Sequence, residues 1–220
     1  MKNPPLINLI LSLLLPLIIS TGADAQDRPV TIRAGLLIDG TGETRRNARI
    51  FIENGKITRI DGLRGAVTHD LSNLTVMPGW VDTHVHLTSH FDLDGRLHRA
   101  ETKETQGQAM LYAVANAYRT LMAGFTTVQS LGSPLDLDLR DWIERGELPG
   151  PRVLTSIRPV NAETGNVDMI RRFVQQLSAD GADVVKVFAS ASIRDGGNRV
   201  MSDPQIKAAC EEATAQGLRT

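Results

Sequence analysis

The chain has 220 residues, 41% hydrophobic and 22% charged, with 24 Lys and Arg set against 25 Asp and Glu for a formal net charge of −1; this is the composition of a soluble globular protein. Near-neutral charge without a basic run argues against a nucleic-acid partner, and a single Cys rules out an intramolecular disulfide framework. The length admits one large domain or two small ones.

Residues 1–25 read as an export signal. Lys2 supplies the positive start, residues 6–19 form an apolar stretch interrupted by Asn8, Ser12 and Pro16, and Ala23-Asp24-Ala25 has the small-x-small pattern of a cleavage site after Ala25. The competing reading, an uncleaved anchor, is disfavoured because the run is shorter than the ~20 residues that span a bilayer. No Cys follows for a lipid anchor. The expected product is exported, periplasmic or secreted, without a stable membrane anchor after cleavage.

Residues 26–74 carry short β-type segments. Val30, Ile32 and Ala34 alternate with polar residues, Asp39-Gly40-Thr41-Gly42 signals a tight turn, and residues 48–53 and 56–60 flank Asn54-Gly55, a strong hairpin cue. A small antiparallel sheet follows from this pattern, too short to bury a core alone.

From about residue 75 the pattern changes to apolar strands alternating with amphipathic helices, which predicts βα units and a parallel sheet. The expected strands are 76–85, 125–129, 152–157 and 184–189. The expected helices are 105–123, with Leu111, Val114, Tyr118 and Leu121 along one face and Gly124 closing it, a short one at 141–145, and 166–178 through Ile170, Phe173, Val174 and Leu177. A last helix starts at Ser202-Asp203-Pro204-Gln205 and runs through Ile206, Ala209, Cys210 and Ala213 to Gly217. Leu218-Arg219-Thr220 look like the start of a fifth strand.

Two features on these strands carry chemistry. His84 and His86 lie two apart near the C-terminal end of the first strand, so a period of two aims both imidazoles at one face. Zinc and similar cations take imidazole nitrogen readily, and active sites of parallel βα folds lie at strand C-termini; a purely structural pair is the alternative. Lys186 sits inside Val184-Val185-Lys186-Val187-Phe188, where a charged amine is costly to bury. Either it faces solvent or pairs with an acid such as Asp183, or it is neutral and can add carbon dioxide to form a carbamate able to bridge two cations.

The remaining candidates are weaker. His90 and His98 fall in the loop after the first strand, where His90 could touch substrate and where a solvated histidine is the commoner case. Asp136, Asp138 and Asp141 read as a polar loop and a helix start. Cys210 reads as packing, and the glycines near Gly40 and Gly196 lack the Lys-Ser/Thr pattern of a phosphate loop.

Met77-Pro78-Gly79-Trp80-Val81-Asp82-Thr83-His84-Val85-His86-Leu87 resembles the first-strand motif of the metal-dependent amidohydrolase superfamily, and Leu37-Ile38-Asp39-Gly40-Thr41-Gly42 resembles that family's N-terminal β-domain. Ala123-Gly124-Phe125-Thr126-Thr127-Val128, Pro149-Gly150-Pro151-Arg152-Val153-Leu154 and Val185-Lys186-Val187-Phe188-Ala189-Ser190 are similar, in order, to the imidazolonepropionase-like and Xaa-Pro dipeptidase-like branch, as are Ser192-Ile193-Arg194-Asp195-Gly196-Gly197 and Met201-Ser202. Gln129-Ser130 departs from the Arg-Asp that many relatives carry there.

The resemblance implies an α/β fold: a (β/α)8 TIM barrel, here incomplete with about four βα units, preceded by a small N-terminal β-sandwich segment. The implied domains are residues 1–25 as signal, 26–74 as the β-domain segment and 75–220 as the first half of the barrel, stopping before its fifth strand. It implies that His84 and His86 hold the more buried metal and that Lys186, as a carbamate, bridges both metals of a two-metal site, with one or two zinc ions as the expected cofactor. The family's general acid/base Asp and two further His ligands are expected in the half that this stretch does not cover, so no catalytic acid or base is assigned here.

The implied function is metal-dependent hydrolysis of carbon–nitrogen bonds in small amides, Xaa-Pro or similar dipeptides among them, with a homo-oligomer compatible with it. The competing reading is a non-catalytic metal-binding or interaction fragment.

Overall fold

The structure is a computed structural model in which residues 29–62, 64–92, 94–97 and 104–220 are described. The expected export signal and His98 lie outside these residues. The chain forms two compact units, one reaching Pro78 and the other Gly79–Thr220.

The first unit is one sheet layer of four strands, β1 (Val30–Ile38), β2 (Thr44–Glu53), β3 (Lys56–Asp61) and β4 (His69–Val76), in the order β3-β2-β1-β4. β1 and β2 pair antiparallel from Val30↔Ile52 to Ile38↔Thr44. The Asp39 carboxylate closes the connection by accepting from Thr41 N at 3.0 Å and Thr41 Oγ1 at 2.7 Å. At the β2–β3 turn Asn54 (φ 52°) and Gly55 (φ 70°) both adopt the left-handed conformation that a two-residue hairpin demands.

The sheet is mixed rather than wholly antiparallel, because β4 lies parallel to β1. Its apolar residues, Leu71, Leu74 and Val76, do not alternate regularly, which hides it from a hydrophobic-pattern reading. The two strands come so close that a Cβ on Gly35 would stand 2.2 Å from the Ser72 carbonyl oxygen, at the register shift between Ala34 and Leu36; only glycine fits. Ala34, Leu37, Ala48 and Ile50 form the small core.

The single strand expected over 76–85 is two strands. β4 ends at Val76, Pro78 has no N–H to continue a ladder, and β5 (Trp80–Val85) begins the second unit. There β5, β6 (Phe125–Ser130) and β7 (Arg152–Thr155) form a parallel sheet in that order. The helices are α1 (Gln106–Met122), α2 (Leu135–Glu144), α3 (Val167–Ala179) and α4 (Asp203–Ala215). The alternation is that of βα units, and the sheet does not close on itself.

The strand expected over 152–157 stops at Thr155, because Ile157 takes φ 57°, a left-handed value unusual for a β-branched residue. Pairing resumes only at isolated points. Val160 N–H donates to Lys186 O and Phe188 N–H to Val160 O, each at 2.8 Å, and Val185 N–H donates to Arg219 O at 2.8 Å. Residues 184–189 therefore run extended in the fourth-strand position without a regular ladder, and Arg219 lies alongside Val184 as the next element.

Helix α3 follows its pattern: Ile170, Val174 and Leu177 are fully buried, worth about 1.5–3 kcal/mol each in apolar burial. Helix α1 does not. Leu111 is 71% exposed and Tyr118 47%, whereas Ala113 and Ala117 are fully buried with Met110 and Val114 beside them. The small side chains bring the helix close to β6, and the larger ones on the neighbouring stripe are left outside. Helix α2 starts six residues earlier than expected, which puts Asp136 and Asp138 in its first turn. Among the described residues no helix is long and apolar enough to cross a membrane.

Candidate metal centre

His84 on strand β5 and His86, the residue directly after that strand, lie close together, with ring centroids 5.5 Å apart and planes 62° apart. The Asp82 carboxylate accepts from His84 N at 3.0 Å and fixes the strand end. Lys186, 102 positions away, is half-buried on the extended segment, its Nζ 3.4 Å from His84 Nε2 and 5.3 Å from the Phe188 ring centroid. The three residues singled out in the sequence thus converge.

Lys186 does not pair with Asp183. That carboxylate accepts from Arg140 Nη1 at 3.1 Å and from Thr155 N at 2.9 Å. Partial desolvation, then the neighbouring His84 and Lys186, lower the pKa of the His86 imidazole, which favours the neutral ring that a cation requires.

These residues fit a divalent cation in part. Two imidazoles are good ligands, an ammonium repels the ion, and a carbamate on Lys186 would replace that repulsion with a carboxylate. Among the described residues no group of three or more His, Cys, Asp and Glu gathers into a further set of ligands.

Beside Lys186 lies a cavity of about 440 Å³ lined also by Thr83, Gln129 and Arg219. Gln129 Nε2 donates to Thr83 O and Gln129 Oε1 accepts from Arg219 Nη2, both at 3.1 Å. Its neighbour Ser130 is buried and accepts from Leu87 N at 3.3 Å. The Gln129-Ser130 departure is therefore built into the fold, tying β5 to β6.

The backbone from Leu87 to Ser89 is held in place. Asn116 Nδ2 on α1 donates to Leu87 O and Ser89 O, each at 2.9 Å, and Ser89 N–H donates to His86 O at 3.0 Å. His90 is 7% exposed, with Nδ1 2.8 Å from Thr88 O, Nε2 2.7 Å from Glu104 Oε2 and its ring stacked on Tyr112 at 3.8 Å. It is not a solvated loop histidine: both nitrogens face acceptors within the protein, and the ring fastens the loop to α1. Asn116 and Tyr112 were not singled out from the sequence. The burial of Ala113 and Ala117 on the same side of the helix as Asn116 is visible only in the structure.

Asp136 is fully buried, not part of a polar loop. Thr155 Oγ1 donates to its Oδ2 at 3.2 Å while Oδ1 has no hydrogen-bond partner. Burial raises the carboxyl pKa, and the Ser130 and Thr155 hydroxyls and the backbone at Ser133 oppose that without cancelling it. Thr155 Oγ1 in turn accepts from Ile157 N at 2.9 Å, so Asp136 supports the strained turn after β7.

An acid raised in the folded state holds its proton after the unfolded chain has lost it, so stability falls as pH rises from below the unfolded value through the folded one. Urea titrations should show Asp136→Asn gaining on the parent from pH 3 to pH 7. A constant difference between the two across that range would show that Asp136 does not titrate in this way.

The amidohydrolase family profile matches residues 75–220. D-aminoacylase from Alcaligenes xylosoxydans xylosoxydans is 34% identical over 67 residues, 29% of this chain and 14% of that protein. A Xaa-Pro dipeptidase solved with methionine bound in its active site aligns with a TM-score of 0.76 at 25% identity, over 87% of this chain and 55% of its own. A prolidase complexed with N-methylphosphonate-L-proline aligns at 0.73 with 19% identity, over 87% and 55%, and A. niger ochratoxinase at 0.69 with 20% identity, over 86% and 54%. The last two bear on the fold alone. The chain spans about half the length of these solved proteins and a seventh of the aminoacylase.

Proposed function

The chain belongs to the amidohydrolase family, and from that premise we propose that it contributes part of the metal centre of an exported hydrolase of small amides, with Xaa-Pro dipeptides as the leading substrates. The observation that carries the reading is the convergence of His84, His86 and Lys186, with Lys186 Nζ 3.4 Å from His84 Nε2. In this proposal His84 and His86 hold a divalent cation, zinc first among them, and Lys186 reacts with carbon dioxide, forming an N–C bond and releasing a proton, so that its carbamate serves one or two ions. The cation supplies Lewis-acid polarisation of the scissile carbonyl and activation of water.

The chain's own residues do the rest. Asp82 orients the His84 backbone, the neutral His86 ring offers a lone pair, and Asn116 and His90 hold the backbone that follows. The Xaa-Pro dipeptidase among the similar structures supports the substrate class. The test is zinc content together with hydrolysis of a panel of Xaa-Pro dipeptides by the enzyme carrying this chain; a metal-free and inert enzyme overturns the proposal. A second reading, a metal-holding module without hydrolytic activity of its own, draws on the same site, which among the described residues gathers two histidines and a lysine. Uptake of zinc by the 220-residue chain without turnover is its expected signature.

Asn116→Asp separates positioning from folding. It keeps the size of the side chain but removes the donors to Leu87 O and Ser89 O. Zinc affinity is expected to fall about 10- to 100-fold, the usual cost of losing an outer-shell partner, and competition with a chromophoric chelator measures it. A lowered melting temperature with unchanged affinity would assign Asn116 to folding only.

A further inference from the structure

A second cavity, about 630 Å³, opens among the segments that follow β7 and the extended strand, lined by Ala162, Phe188, Ala191 and Val200 with the Ser190 and Ser192 hydroxyls between them. It lies next to the candidate centre, because the Phe188 ring that forms one wall is also 5.3 Å from Lys186 Nζ. We propose that this cavity is a subsite for an uncharged, apolar side chain of the substrate. The inference rests on the hydrolase reading above and adds to it a preference that nothing in the family assignment specifies.

Three observations carry it. The volume of about 630 Å³ falls within the range of small-molecule sites, with room for a branched aliphatic side chain. The walls are mainly apolar, and Glu163, an exposed residue among those lining the cavity, disfavours a carboxylate, so a neutral group is the favoured occupant. The walls are also pre-formed. Asn161 and Thr164 cap each other with Thr164 N donating to Asn161 Oδ1 and Asn161 N donating to Thr164 Oγ1, both at 3.0 Å. Ala191 N–H donates to Asn198 O at 2.8 Å and Val200 N–H to Ala189 O at 3.0 Å, which folds residues 189–200 back on themselves. A site whose walls are already ordered loses less on binding.

Phe188 and Val200 are 44% and 47% exposed, as apolar residues facing an open cavity are. Their exposure decreases when an aliphatic group enters, and the gain scales with the apolar area covered. A glycine side chain covers none of it.

The test uses the 220-residue chain with N-acetyl-L-leucinamide and N-acetylglycinamide as probes, followed by saturation-transfer NMR. The leucine compound is expected to bind at least about tenfold more tightly, in line with discrimination by added methylenes. Val200→Trp, which fills the cavity from an exposed position, is expected to remove most of that preference. Ile193→Trp, at a position 91% exposed and outside the cavity, is expected to leave it intact. Equal affinity for the two probes, or a preference that survives Val200→Trp, overturns the subsite. Zinc uptake measured on the same samples keeps the two readings apart: loss of uptake with the leucine preference retained sinks the metal centre and spares the subsite, and the reverse outcome does the opposite.

Discussion

Replacing His84 with Ala is expected to weaken zinc binding by roughly a hundredfold or more, since even the loss of an outer-shell partner costs up to that much. His86→Ala is expected to do the same, and the double variant to add little, because one remaining imidazole no longer chelates. Both rings are exposed on one strand end, with centroids 5.5 Å apart, so neither truncation opens a cavity and folding should survive. Circular dichroism and chelator competition on the same samples read the two properties separately.

Lys186→Met keeps the length of the side chain and removes the amine. It should abolish incorporation of carbon-13 from labelled bicarbonate and weaken binding of any second ion, while the first ion on the histidines persists. Zinc affinity indifferent to both histidines would remove the metal reading altogether, whatever happens at Lys186.

Gly79→Ala has the second large expected effect, and it acts on folding. A Cβ at this position would stand 2.1 Å from Thr126 Oγ1, 2.2 Å from Cγ2 and 2.7 Å from Cβ, so no rotamer of Thr126 relieves the clash. Gly79 directly precedes β5, whose first residue pairs with Phe125 and whose Trp80 ring packs edge-on against Phe125 at 5.4 Å. Forcing the two strands apart should cost about 1–3 kcal/mol and shift the strand that carries both histidines.

The companion change Thr126→Gly clears the obstruction from an exposed position, so the double variant should recover most of the stability lost. Urea unfolding of the four proteins in this cycle gives the coupling directly. Additive losses, with no recovery, would show that Gly79 is required for some reason other than this contact.

The metal candidates were legible because strand periodicity is local: residues two apart on a strand share a face, and a lysine inside an apolar run stands out wherever the strand lies. The same locality explains the hairpin at Asn54-Gly55 and the amphipathic face of α3. It also explains the errors. β4 has no regular apolar alternation, with Leu71, Leu74 and Val76 spaced unevenly among polar residues, and its parallel place beside β1 depends on Gly35 letting two backbones meet at Ser72. Leu111 and Tyr118 have the spacing of a buried face, yet the helix packs on its alanines, because small residues allow the closer approach to β6.

By itself, then, the sequence determined the alternation of strands and helices, the separate small β unit and the identity of His84, His86 and Lys186. Each of these follows from propensity, turn chemistry and side-chain period within a dozen residues. Only the tertiary structure decided that Lys186 meets His84 across 102 positions, that Asp183 belongs to Arg140, that His90 is a buried fastener, and that Asp136 is a carboxyl shut away from water. These are contacts between distant segments, and their energies depend on burial and on partner geometry that no local pattern encodes.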